Sequence, residues 1–169
     1  MKKIILLIVV IGFMSCEMNL PMEKSIILGD SLVHGNTWRI DSYGINGATI
    51  NKLIENLPVL TEYTDIYLLV GINNILLGDS KDVVISEMER LITLLSDKNV
   101  HIISLLPVDT NRIESTSNEY ISNINISYKN IADYIDVNSS LLVNGINPYT
   151  YDGLHISPIG YKIIEDILF

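Results

Sequence analysis

The sequence has few cysteines, few basic residues and no long apolar runs. It holds one cysteine among 169 residues, so an intramolecular disulfide is excluded. Its 11 lysines and arginines are outnumbered by 20 aspartates and glutamates, which gives a net charge of −9. Nucleic acids and anionic lipid headgroups bind basic surfaces, so both are poor partners and neutral substrates are favoured. The sequence has no His or Cys cluster with zinc spacing and no phosphate-binding glycine loop, so we expect neither metal nor cofactor.

The start of the chain is typical of an export signal rather than of a folded domain. Two lysines precede an apolar run over residues 4–13. That run is about half of the roughly 20 residues that a membrane-spanning helix needs. Cys16 follows a small residue and resembles the lipidated cysteine of a bacterial lipoprotein, although Phe13 stands where leucine is commonest. Ordinary cleavage and a retained anchor are the alternatives to lipidation.

These features predict the domain organisation. We expect a lipoprotein-type signal peptide over residues 1–15, a tether over 16–24 and one folded domain over 25–169. The protein is then exported to the bacterial cell envelope. A lipid on Cys16 is its only expected contact with the membrane.

From residue 25 onward, short apolar runs alternate with amphipathic stretches. The predicted strands cover residues 26–28, 38–43, 66–70, 100–105 and 134–137, and the predicted helices cover 49–57, 81–97, 118–132 and 158–169. This alternation indicates βαβ units in an α/β domain with a mostly parallel sheet. In such sheets ligands bind beyond the carboxyl ends of the strands, so functional residues are expected there.

A Gly-Asp-Ser tripeptide ending at Ser31 directly follows the first predicted strand. A serine at a glycine-assisted turn from strand to helix can present its hydroxyl above the sheet. The same tripeptide is also a common helix N-cap. Its second copy, ending at Ser80, follows no strand directly and is predicted to cap the next helix. The tripeptide alone therefore does not identify a nucleophile.

An aspartate lies three residues before a histidine near the end of the chain. Asp152 can hold one imidazole nitrogen of His155 and leave the other free to accept a serine proton. The order Ser, Asp, His also fits α/β esterases. An isolated Asp-x-x-His sequence would ordinarily lie in a surface loop without a catalytic role. His34, close to Ser31 in the sequence, is the only rival for the base, because His101 lies within a predicted strand.

An ester hydrolase also needs hydrogen-bond donors for the tetrahedral oxyanion. Gly47, just ahead of a predicted helix, offers a backbone N–H with no side chain to block a substrate. Asn73, after the buried strand over residues 66–70, offers a side-chain amide. Taken separately, both are equally well explained as turn residues.

Together these four blocks resemble the SGNH (GDSL-like) hydrolases. The family has a Gly-Asp-Ser motif, a Gly, a Gly-x-Asn motif and an Asp-x-x-His motif, and all four occur here in that order from residue 26 to the end. The stretches over residues 105–108 and 151–155 look most like the short acyl-esterase branch, which includes lysophospholipase-like and carbohydrate-acetyl esterases. The resemblance implies a three-layer α/β/α fold with a flavodoxin-like central sheet.

The resemblance also implies a role for each motif residue. Ser31 is implied as the nucleophile and as the donor of one oxyanion N–H. Gly47 and Asn73 are implied as the second and third oxyanion donors. His155 is implied as the general base, and Asp152 as the residue that orients it.

One residue departs from the family pattern. Asn74 stands where the family usually has aspartate, which removes a negative charge. Because Asn73 is retained, we expect altered local hydrogen bonding rather than loss of activity.

The predicted activity is removal of short acyl groups, acetyl among them, from carbohydrate or other small neutral esters through an acyl-enzyme. A lysophospholipase or short-chain lipase is the second enzyme hypothesis, which a broad apolar groove near Trp38 and Pro107 would favour. A third hypothesis is a non-catalytic envelope lipoprotein that binds glycans, since one fold can host unrelated functions.

Overall fold

The computed structural model describes residues 24–36 and 38–169. In chain order the elements are β1 (Ser25–Gly29), β2 (Asp41–Gly44), α1 (Ile50–Glu55), β3 (Asp65–Leu69), α2 (Ile72–Leu76), α3 (Lys81–Leu94), β4 (Asn99–Ile103), α4 (Asn118–Tyr128), β5 (Asp133–Ile135), α5 (Asn138–Leu141) and α6 (Pro158–Leu168). The predicted signal peptide, Cys16 and nearly all of the predicted tether lie outside the described residues and stay predictions.

The five strands form one parallel sheet in the order β2-β1-β3-β4-β5. Ile27 and Leu28 in β1 are fully buried, as expected for a strand with neighbours on both sides. Gly29, the last residue of β1, is paired with Gly44 of β2 and Leu69 of β3. The predicted parallel, flavodoxin-like sheet is therefore confirmed, and the exits of β1, β2 and β3 lie side by side.

Helices cover both faces of this sheet. α3 contacts α1, α2 and α4, whereas α5 contacts α6. Phe169, which follows α6, packs edge-on against Tyr67 of β3 with ring centroids 5.7 Å apart, so α6 covers the face to which Tyr67 points. The predicted three-layer α/β/α architecture is confirmed. Among the described residues, no helix is both long and apolar enough to cross a membrane.

Side-chain caps explain where several helices begin. The cap oxygen accepts a hydrogen bond from a backbone N–H of the first turn, which would otherwise have no partner. This occurs at Thr49, Ser80, Ser117 and Ser157. The second Gly-Asp-Ser copy is therefore a helix N-cap, as predicted.

The predicted strand over residues 38–43 begins too early, because β2 starts only at Asp41. Trp38 instead leaves the sheet and is buried, with its Nε1–H donating to the Val33 carbonyl at 3.3 Å. Its ring packs edge-on against Tyr161 at 5.4 Å. Burial of the large indole with a partner for its N–H outweighs the alternating pattern that suggested a strand. The short helices α2 and α5 were not predicted.

Candidate active site

The turn after β1 places Ser31 at the carboxyl edge of the sheet. A Cβ atom on Gly29 would lie 2.2 Å from the Leu69 carbonyl oxygen and 2.5 Å from Val33 Cγ2, so only glycine fits there. The chain can therefore turn sharply off the strand while β1 stays tightly packed against β3. Ser31 lies in this turn, two residues after Gly29.

Asp30 holds the turn together from beneath. Its Oδ1 accepts the Leu32 N–H at 2.9 Å, and its carbonyl accepts the N–H groups of Val33 and His34 at 3.1 and 3.0 Å. These bonds hold the backbone of the three residues that follow Ser31. The serine hydroxyl is thus carried on a rigid turn, as nucleophilic attack requires.

Ser31, His155 and Asp152 form a continuous hydrogen-bonded relay. His155 Nε2 lies 3.0 Å from Ser31 Oγ, and His155 Nδ1 lies 2.6 Å from Asp152 Oδ2. Asp152 Oδ1 also accepts the backbone N–H groups of Leu154 and His155 at 3.0 and 2.7 Å. Partial burial acts to raise the pKa of Asp152, but the bonds from His155 and these N–H groups outweigh it and lower the pKa overall. Asp152 therefore stays ionised and can hold the imidazole in one tautomer.

A glycine shapes the loop that carries this pair. Gly153 has a φ of 101°, in the region that favours glycine, and a Cβ there would lie 2.8 Å from Arg112 Cβ. The loop then joins α6 through Ser157, whose side chain caps the helix. His155 is thus held between a packed glycine turn and a helix start.

The three expected oxyanion donors gather at neighbouring strand exits. The Ile45 N–H donates to the Gly29 carbonyl at 3.0 Å, which keeps the segment leading to Gly47 beside the nucleophile turn. Asn73 Nδ2 donates to the Ala48 carbonyl at 3.0 Å, so the amide lies next to Gly47 and has a second N–H to offer.

Two of these donors are backbone groups that are not used elsewhere. Within residues 24–36 and 38–169, the N–H groups of Ser31 and Gly47 donate no hydrogen bond. Gly47 has a φ of 65°, and no atom of the described residues lies within 4 Å of the place its Cβ would take. The Gly47 backbone is therefore open to an approaching substrate.

Neither of the other two histidines takes part in the relay. His34 Nδ1 is bonded to the Gly44 carbonyl at 2.9 Å, and the ring makes no hydrogen bond to the serine hydroxyl. His101 lies between Asp133 and Asp65, at 2.6 and 3.3 Å, on a strand of the sheet. The structure thus brings together Ser31, Asp152 and His155 and leaves out the rival His34.

Solved structures of known proteins superpose on this fold. A protein from Streptococcus pneumoniae described as a platelet activating factor superposes with a TM-score of 0.78, at 24% identity, over 90% of this chain and 85% of that one. A GDSL-like lipase from Bacteroides thetaiotaomicron superposes with a TM-score of 0.73, at 18% identity, over 86% and 85% of the two chains. This chain has the GDSL-like hydrolase fold.

Sequence comparisons add a match over part of a longer protein. No family model matches the chain. An N-acylneuraminate cytidylyltransferase from Streptococcus agalactiae serotype V is 28% identical over 152 residues, which are 84% of this chain. The match spans only 37% of that relative's length.

Within the GDSL-like fold, Tyr161 joins the two halves of the relay, a role that the sequence did not suggest. Its hydroxyl donates to the Leu32 carbonyl at 2.8 Å and accepts a bond from Asn36 Nδ2 at 2.7 Å. Burial raises the pKa of Tyr161 well above its ordinary range, so the hydroxyl stays a donor. Because α6 follows directly after His155, this bond ties the histidine loop to the nucleophile turn. A tyrosine in the first turn of a helix carries no sequence signal for such a role.

Asn74 forms a buried polar network one residue after the oxyanion amide. It is 1% exposed, and its Oδ1 accepts the Ile50 N–H at the start of α1 at 2.9 Å. Its Nδ2 donates to Asp79 Oδ2 and to Glu87 Oε2, both at 2.8 Å. Asn74 therefore links α1, α2 and α3 around the segment that contains Gly47.

Asp30 is a second buried polar residue of the site, and its burial was not predicted from the sequence. Its side chain is fully buried, and its Oδ2 has no hydrogen-bond partner among the described residues. Burial raises its pKa to about 7, and nearby His155 only partly offsets this effect. The unfolded chain, in contrast, ionises Asp30 near its ordinary value of 3.8.

This difference predicts a pH-dependent stability. Because the folded pKa is raised, the folded state holds a proton that the unfolded state releases, so stability falls as pH rises from about 4 to about 7. The amide introduced by Asp30→Asn stays neutral throughout this range. We therefore expect the free energy of unfolding of the variant, relative to that of wild type, to increase by roughly 2 to 3 kcal/mol when the pH is raised from 5 to 8.

Urea unfolding of both proteins at the two pH values measures this change. Asp97→Asn, which alters a largely exposed carboxylate, is the matched control and should follow wild type. A free-energy difference between wild type and Asp30→Asn that is the same at pH 5 and pH 8 would contradict the prediction.

A cavity of about 570 Å³ opens beside Ser31. It lies between the nucleophile turn and the start of α6, and both aromatic and polar side chains line it. The lining includes Ser31, Asn36, Arg39, Tyr151, Tyr161 and Lys162. Trp38 and Pro107, near which a broad apolar groove would have favoured the lipase hypothesis, do not line this cavity, and both side chains are buried. The cavity is thus large enough for a small polar ester.

Proposed function

We propose that the protein is a serine ester hydrolase that removes short acyl groups from carbohydrate or other small neutral esters. The observation that carries this proposal is the relay from Asp152 through His155 to Ser31. A serine hydroxyl at 3.0 Å from an imidazole nitrogen, with a carboxylate on the other nitrogen, is the arrangement that activates a nucleophile. The proposed site of action is outside the cytoplasm, where the predicted signal peptide would direct the chain.

In the first step His155 Nε2 accepts the Ser31 hydroxyl proton while Ser31 Oγ forms a bond to the ester carbonyl carbon. Asp152 holds the Nδ1–H and stabilises the positive imidazolium ring. The negative carbonyl oxygen is received by the N–H groups of Ser31 and Gly47 and by the Asn73 amide. One such donor typically accounts for about 10² to 10³ in rate.

The tetrahedral intermediate then loses the alcohol. The bond from carbon to the alcohol oxygen breaks, and that oxygen takes the proton from His155 Nε2. Water repeats the sequence on the acyl-enzyme: His155 removes a water proton, the hydroxide oxygen attacks the carbonyl carbon, and the carboxylic acid leaves as Ser31 regains its proton. Every proton transfer in this scheme uses His155.

Features of the cavity support a polar alcohol over a lipid. Asn36, Arg39 and Lys162 make part of the cavity wall polar, and a long acyl chain would displace water from them without offering a hydrogen bond in return. The name of the curated relatives, N-acylneuraminate cytidylyltransferase, supports a sugar substrate as well. We do not extend their cytidylyl transfer to this chain, since the relay suits acyl transfer. A lysophospholipid would need a broader apolar surface.

Active-site labelling tests the proposal. A fluorophosphonate probe reacts with activated serines, so we expect one adduct, mapped to the peptide with Ser31 and absent from the peptide with Ser80. Hydrolysis of p-nitrophenyl acetate should fall in proportion to the fraction labelled. A folded protein that is neither labelled nor active above the buffer rate would instead favour the non-catalytic, glycan-binding hypothesis.

A further inference from the structure

Tyr151 lies against the imidazole of the proposed base with one face of its ring. The ring centroids of Tyr151 and His155 are 5.8 Å apart and the planes differ by 16°, which is a parallel stack. Tyr151 is nevertheless 65% exposed and contributes to the wall of the cavity beside Ser31. One face of the ring is thus covered by the imidazole, and much of the rest is open to the cavity.

The backbone that carries this ring is held at two points. The Tyr151 N–H donates to the His155 carbonyl at 3.1 Å, and Arg112 Nη1 donates to the Tyr151 carbonyl at 2.8 Å. Arg112 is itself paired with Asp109 at 3.5 Å. An exposed aromatic ring on a backbone held in this way, with the His155 ring stacked beside it, loses less conformational freedom when a ligand binds than the same ring on an unconstrained loop would.

The surroundings of the ring indicate the class of ligand. The same cavity is lined by hydrogen-bonding groups of Asn36, Arg39, Lys162 and Glu165. A cavity wall that combines an exposed aromatic ring with several polar groups matches a sugar ring, whose C–H face is apolar and whose edge carries hydroxyls. A fatty acyl chain would displace water from these polar groups without offering any hydrogen bond in return.

We infer that Tyr151 forms the alcohol-side subsite of the cavity and stacks on the C–H face of a sugar ring whose acyl ester reaches Ser31. This inference rests on the proposed function and specifies its substrate as an acylated pyranoside. The phenol ring acts on binding and takes no part in proton transfer. Tyr151 is therefore a specificity-determining residue.

Two acetyl esters that differ only in the alcohol test the inference: an O-acetylated methyl glucopyranoside and ethyl acetate, which has no ring. The measured quantity is the ratio of kcat/KM for the glucoside to kcat/KM for ethyl acetate. Tyr151→Leu, which keeps an apolar side chain without an aromatic face, should lower this ratio about five- to tenfold, mainly through KM for the glucoside. Tyr151→Phe should keep the ratio of wild type.

Phe169→Leu is the matched control, because Phe169 is an exposed aromatic residue that does not line the cavity. It should leave the ratio unchanged. An equal loss on both esters in Tyr151→Leu, or no loss on either, would overturn the subsite while leaving the hydrolase intact. If wild type and Ser31→Ala hydrolyse each of the two esters equally slowly, the proposed function fails and the subsite with it.

Discussion

His155→Ala is expected to lower kcat for p-nitrophenyl acetate by on the order of 10⁴- to 10⁶-fold, because no other base among the described residues reaches Ser31. The imidazole is 3.0 Å from the serine hydroxyl, whereas His34 is bonded to the Gly44 carbonyl. Without His155 the hydroxyl keeps its proton and remains a weak nucleophile. The oxyanion donors stay in place, so a residual rate above buffer should remain. Initial rates of p-nitrophenol release measure the loss.

Two comparisons make this prediction specific. Ser31→Ala should lose about as much as His155→Ala, and the double variant should lose no more than either, because the two residues act as one unit. His34→Ala and Ser80→Ala should keep activity close to wild type, since neither residue belongs to the relay. Equal rates in wild type and Ser31→Ala would remove the claim that the protein is an enzyme.

Asn74→Asp is expected to destabilise the fold by about 2 to 4 kcal/mol at pH 7. Aspartate keeps the oxygen that accepts the Ile50 N–H, but it replaces the amide donor with an anion. That anion would lie against Asp79 and Glu87, at a site only 1% exposed. Three carboxylates cannot all remain ionised there at small cost.

A second substitution in this network should compensate for Asn74→Asp. Adding Glu87→Gln supplies a neutral partner and should restore a large part of the lost stability. Glu87→Gln alone, in the presence of Asn74, should cost less than Asn74→Asp. Urea unfolding of the four proteins at pH 7 gives the coupling energy as a double-mutant cycle. Full stability of Asn74→Asp at pH 7 would show that a negative charge is tolerated at this position.

This network also explains the departure from the family pattern. The sequence alone indicated a missing negative charge at position 74 and predicted altered hydrogen bonding. The structure supplies two carboxylates around that position, from α3 and from the segment before it. An amide is the side chain of that size that can accept from Ile50 and donate to both acids.

The fold and the motif residues could be predicted from local sequence, because strand and helix patterns and the residues at strand exits are neighbours along the chain. Ser31, Gly47 and Asn73 each follow a predicted strand, and parallel pairing then brings those exits together. The pairing of Asp152 with His155 follows from a spacing of three residues.

Other features depend on contacts between distant segments. The sequence pattern around Trp38 predicts a strand. In the structure its ring packs instead against Tyr161, which lies more than 120 positions later in the chain. The burial of Asp30 and the exposed face of Tyr151 are properties of the assembled domain. No pattern of residue types along the chain contains that information.

The two ends of the relay come from opposite ends of the domain's sequence. Ser31 follows β1, the first strand, and His155 precedes α6, the last helix. A chain still emerging from the ribosome therefore carries its serine long before its base has been synthesised. On the proposed mechanism we therefore expect no hydrolytic activity in a partial chain that lacks the final segment.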